Sequence, residues 1–152
     1  MSLPYHFYED QYTERRPHAL LISAPGLMSN ALQAYLRSVQ HLKLTCDHMT
    51  PVNYLLSDNT SCADVVIILE DRNLSEAAQV LEAAQARRDH FLVIVPDTYR
   101  QFSLQQMIVE PVLVWSLLNL TFETTLAECI ETSPHRLTIQ PAEWNALQPT
   151  HS

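Results

Sequence analysis

The run Val65–Leu69, VVIIL, consists of five consecutive β-branched or leucine side chains and leaves no polar face for solvent. Such a segment forms a strand covered on both sides, as parallel sheets flanked by helices require. Phe91–Val95, FLVIV, closed by Pro96, is a second run of the same kind. Glu70 and Asp71 then fall at the carboxyl end of the central strand, the edge of an open α/β sheet where ligands and chemistry gather. Whether those acids have partners is the functional question that the sequence poses.

The other elements follow in order. Residues 1–17 show no periodicity and read as a tail, anchored by Tyr5, His6, Phe7 and Tyr8. Residues 19–22 form a first strand that ends at Ser23, and Ala24, Pro25 and Gly26 break it. Ser29 or Asn30 caps a helix with Leu32, Leu36 and Val39 at helical spacing. Leu42, Leu44 and Cys46 alternate with Lys43, Thr45 and Asp47, which predicts a half-exposed strand at the sheet edge. Pro51 opens a short helix through Leu56, and an alanine-rich helix runs from Ser75 to about Arg88, with Arg87 and Arg88 at the negative end of its dipole. After a polar loop at 97–103 come a short helix at 104–109, a fifth strand at 112–118, and a helix at 122–131 capped by Thr121. Residues 133–152 form a second tail or cap, with a short strand at 137–139 and a turn after Pro141 that buries Trp144 and Leu147. Five strands alternating with five helices predict a single α/β domain over 18–132, built with parallel pairing and right-handed crossovers. The expected fold is a three-layer α/β/α sandwich with the flavodoxin-like strand order 2-1-3-4-5.

Several functions are excluded by composition. A net charge of −8 and a pI near 5.2 repel nucleic acid and anionic membranes, and no apolar run reaches membrane-spanning length. The charged, aromatic N-terminus does not read as a signal peptide, so a cytoplasmic location is expected. Cys46, Cys62 and Cys129 are an odd number, widely spaced and without CxxC, and read as reduced thiols with no zinc site. Cys46 and His48 lack two further ligands. The single glycine, Gly26, rules out dinucleotide fingerprints and Walker loops, which need backbone to approach phosphate closely, and no cofactor is expected. No GxSxG elbow exists, although composition leaves a Ser/His/Asp or Cys/His set open.

Over 18–131 the order ALLI, a loop and a helix of LxxxL type, DVVIIL, FLVIVP and LLNLTFETTLAECI resembles the receiver domains of bacterial two-component response regulators. That resemblance implies a definite chemistry. Two acids after the first strand hold Mg²⁺, an aspartate ending the third strand takes the phosphoryl group, and a Ser/Thr and a lysine end the fourth and fifth. In this chain the acid pair falls on Ser23 and Ala24, and the phosphoacceptor on Leu69, with Glu70 one residue later and pointing to the opposite side. The hydroxyl position falls on Pro96 or Asp97, and the lysine on Asn119. The resemblance therefore implies a degenerate pseudo-receiver without a metal site or catalysis, acting in signal transduction through protein contacts.

Receivers commonly pair through the fourth helix, fifth strand and fifth helix, which makes Leu104, Met107, Ile108 and Trp115 the expected interface of a homodimer. Residues 137–147 folding back over that face are the alternative. Residues 136–147 also resemble the opening of the DNA-binding domains that follow receivers, and are read as a stub or cap. Glu70, Asp71 and Asp97 are expected as solvated loop ends rather than a cation site. Residues 23–29 read as a turn and cap rather than a phosphate cradle. The competing function is a small-molecule or nucleotide binder that uses the carboxyl-edge crevice.

Overall fold

Val65–Leu69 and Phe91–Val95 form the central strands β3 and β4 and are buried at every position. The structure is a computed structural model and describes residues 16–39, 42–57, 63–70 and 74–133. Cys62, Asp71, the N-terminal tail before residue 16 and the expected elements around Trp144 and Leu147 lie outside the described residues. The remaining strands are β1 (His18–Ile22), β2 (Thr45–Met49) and β5 (Val112–Val114), and all pair in parallel in the order β2-β1-β3-β4-β5. Helices α1 (Leu27–Ser38), α2 (Pro51–Leu56), α3 (Leu74–Arg87), α4 (Thr98–Gln105) and α5 (Leu118–Glu131) connect them. This is the flavodoxin-like α/β topology expected.

Strand parity divides the core in two. Leu20, Ile22, Val66, Ile68, Val93 and Val95 pack with Tyr54, Val80, Leu81 and Leu104 from α2, α3 and α4. Leu21, Ile67, Leu69 and Ile94 pack with Leu32 and Leu36 of α1 and with Phe122, Leu126 and Ile130 of α5. Each fully buried aliphatic or aromatic side chain contributes about 1.5–3 kcal/mol, so the central strands, buried at every position, are a large part of the stability together with the helix faces that cover them. None of the described helices is long and apolar enough to cross a membrane.

Four boundaries differ from expectation. Helix α1 begins at Leu27 behind Gly26, whose carbonyl accepts from Asn30 N, so Ser29 lies inside the helix, buried, and accepts from Gln33. Strand β2 starts at Thr45 rather than 42, because Lys43 turns the chain in the left-handed region (φ 52°) and Thr45 N then bonds to Pro17 O. Helix α4 occupies the expected loop, since Asp97 Oδ1 accepts from Arg100 N at 2.8 Å and starts it there. Strand β5 is only three residues long. A 3₁₀ turn at Trp115–Leu117 leads straight into α5, so position 121 lies within that helix rather than at its cap. β4 offers β5 only Val93, Ile94 and Val95 as partners, and the apolar run beyond Val114 is taken up by helix.

Arg87 lies in the last turn of α3, as expected, and takes a further role. Its guanidinium lies 4.5 Å over the Tyr54 ring and donates to the carbonyls of Tyr54 (3.0 Å) and Ser57 (2.7 Å), capping the neighbouring helix α2. Arg88 follows at φ 59°, with its N–H bonded to Gln85 O and that of Asp89 to Ala84 O, a Schellman ending in which glycine is the favoured residue. Arg88→Gly should therefore stabilise the protein, by about 0.5–1 kcal/mol, through relief of left-handed strain. Thermal unfolding followed by circular dichroism checks this, and an unchanged or lower midpoint would refute it.

Candidate functional site at the carboxyl edge of the sheet

The positions singled out at the strand ends do meet at one edge, but their chemistry differs from that of exposed loop acids. Leu69 is the last residue of β3, and its side chain turns into the α1 and α5 cluster. Glu70, one residue on, keeps its backbone in register through a bond from its N–H to Ile94 O at 2.8 Å. Its side chain is buried on the other side, with the residue only 1% exposed. Arg100, on the first turn of α4, donates to both of its carboxylate oxygens, from Nε to Oε1 at 2.6 Å and from Nη2 to Oε2 at 2.9 Å. Glu70 is therefore not the solvated loop end expected. Burying a carboxylate demands a paired, hydrogen-bonded partner, and the planar fork of an arginine supplies it.

The same geometry reaches back to the sequence. Asp97 is exposed and used as the cap of α4, which fixes where Arg100 emerges, and the hydrogen bonds to Glu70, against the cost of burial and with Asp97 adding its charge, hold the guanidinium above its already high ordinary range. Arg100 escaped the sequence reading because 97–103 looked like loop; the signal present was an acid three residues before it, following a proline. The guanidinium side is one quarter exposed, so solvent reaches the pair from α4 while the carboxylate is sealed.

Ser23 is fully buried at the end of β1, beside His48 of β2. His48 Nε2 lies 2.9 Å from Ser23 O, a pure acceptor, so that nitrogen carries the proton and cannot also take one from Ser23 Oγ at 3.0 Å. The pair is thus a strand-end clasp and not a nucleophile with its base. Ala24 and Pro96 are exposed and offer no functional side chain. Position 119 lies in the first turn of α5, five residues beyond the end of β5, so it does not correspond to a strand-end lysine. That place in the chain is taken by Trp115.

Among the expected interface residues, Leu104 near the end of α4 and Ile108 just beyond it are buried in the cluster packed with α2 and α3. Met107 is exposed and Trp115 half-buried. The apolar surface of α4 and the loop after it is instead formed by Tyr99, Phe102, Met107 and Val109, exposed by 82, 68, 74 and 94%. Burial pushes the Cys129 thiol up to about 11 and raises that of Cys46 as well, which leaves both poor nucleophiles at neutral pH. Among the described residues no group of three His, Cys, Asp or Glu side chains converges on a cation site. The chain matches no protein-family model and no curated protein sequence.

Proposed function

We propose that the protein is a receiver-like signalling module that works through protein contacts, in the cytoplasm, without phosphotransfer. The observation that carries this reading is the buried Glu70–Arg100 pair. At the edge where a receiver gathers metal and phosphate, the acid of this chain is already neutralised by its own arginine, and Leu69 is committed to the core. The pair joins the end of β3 to α4, and α4 presents Tyr99 and Phe102 to solvent, a contiguous apolar surface of the kind that marks a contact site. A homodimer through this face is the simplest assembly, twofold pairing being the commonest form of self-association.

Sedimentation of the wild type at micromolar concentration, with and without acetyl phosphate and Mg²⁺, tests the reading. The expected result is a dimer in both conditions, no mass increase, and a monomer for Phe102→Asp. A phosphoryl adduct, or association that appears only with the phosphodonor, would overturn it.

A further inference from the structure

The described sheet ends in β2 on one side and β5 on the other, and the two edges are built differently. β2 exposes Thr45 and Asp47 along its length, the polar and charged side chains that discourage a further strand. β5 is Val112, Leu113 and Val114, with no polar side chain at all. Its composition is that of a strand ready to pair. The register with β4 decides which of its backbone groups face outward. Val93 N donates to Pro111 O at 3.0 Å, so residues 111 and 113 turn their polar backbone groups toward β4, and residues 112 and 114 turn theirs to the open side.

The open side of Val112 is taken by side chains of α4. Gln101 Nε2 donates to Val112 O at 2.7 Å, and Val112 N donates to Gln105 Oε1 at 3.1 Å. Positions 101 and 105 stand one turn apart on the same face of α4, so the two amides reach the edge together. A donor beside the carbonyl and an acceptor beside the N–H of one residue reproduce what a neighbouring strand would offer. Gln105 Nε2 also donates to the carbonyls of Ile108 at 3.1 Å and Glu110 at 2.8 Å, which fixes the amide so that its oxygen meets Val112.

We infer that Gln101 and Gln105 stand in for a further strand and keep β5 from pairing with the β5 of a second copy of this chain. The arrangement they block is a specific one. About a twofold axis through Leu113, antiparallel pairing sets Val112 opposite Val114 of the other copy, exchanges their outward N–H and C=O groups, and joins two sheets into one. Val112 and Val114 keep their side chains in the core throughout. Pro111 and the 3₁₀ turn at Trp115–Leu117 hold the strand to this length, and the glutamines close what is left of its edge. The guard sits on a different face of α4 from the exposed Tyr99 and Phe102, so it does not depend on the dimer proposed through those residues.

Gln101→Met combined with Gln105→Met keeps side-chain length and helix propensity while removing both amides. Sedimentation of the full chain and hydrogen exchange at the Val112 amide compare this variant with the wild type over a range of protein concentrations. In dilute solution Val112 should exchange roughly fivefold faster than in the wild type, the loss of about one net hydrogen bond. As concentration rises the variant should reach about twice the assembly mass of the wild type, whether that is a monomer or a dimer, and Val112 should regain protection in the assembled form. Gln101→Asn combined with Gln105→Asn retains the amides but shortens each arm by one methylene, and should show the same gain; it decides the matter if the methionine pair does not fold. Assembly masses equal to that of the wild type overturn the inference. So does a gain confined to the methionine pair, or one in which Val112 still exchanges freely, since either is contact through exposed methionine and not the pairing of strands.

Discussion

Arg100→Ala should lower the stability of the protein by about 3–5 kcal/mol, the range seen when one member of a buried ion pair is removed. The loss comes from what is left behind. Glu70 is 1% exposed, and without the fork from α4 its carboxylate has no solvent to replace the two lost bonds. Glu70→Gln should cost less, because Arg100 is one quarter exposed on its side chain and can turn its charge to water. The double variant Glu70→Leu, Arg100→Met, which removes both charges and keeps the volume, should recover most of the deficit. Urea unfolding of the four proteins measures the two single losses and the recovery in the double variant. If Arg100→Ala and Glu70→Gln lose the same small amount, the pair is a surface contact and α4 is not fixed by it.

This pair also shows where a single sequence stops being legible. The central strands could be read because apolar runs such as Val65–Leu69 and Phe91–Val95 have no other soluble solution, and their parallel order follows from the alternation with helices. The edge positions Ser23, Leu69, Glu70 and Pro96 therefore fell at the ends of the expected strands. Helix α4 was not legible, since its first turns expose Tyr99 and Phe102 and bury only Leu104, so the usual apolar periodicity is missing. With α4 unread, Arg100 was invisible, and Glu70 looked like any acid after a strand. Its partner stands thirty residues away and is brought to it only by the fold.

Two of the other boundaries differ for different reasons, one local and one tertiary. Leu42, Leu44 and Cys46 alternate like a strand, but Lys43 adopts the left-handed conformation without the glycine that would signal a turn, and pairing with β1 begins at Thr45. At 112–118 an apolar run fits strand and helix alike, and the choice is made by the length of β4 available for pairing, a tertiary fact.

Leu69→Asp restores an acid at the register where a receiver would carry its phosphoacceptor, and it should fail on both counts. Leu69 is 6% exposed and packs in the cluster shared by α1 and α5, so the change removes about 2–3 kcal/mol of apolar burial and adds an unpaired polar group. A total loss of about 4 kcal/mol or more is expected, which places the variant near the limit of folding. Leu69→Asn, of the same shape but uncharged, isolates the charge. Burial favours the protonated acid, so the folded state of the Asp variant binds more protons than its unfolded chain. Its deficit relative to Asn should therefore be least near pH 4 and grow as pH rises above the ordinary aspartate range of about 3.9, levelling off once the buried group ionises. Denaturation midpoints of the two variants from pH 4 to 8 measure this, and mass spectrometry after acetyl phosphate and Mg²⁺ should show no adduct on either. A folded Leu69→Asp protein with stability independent of pH and one added phosphoryl group would mean that the carboxyl edge still holds a working phosphate pocket, and the non-catalytic reading would fall with it.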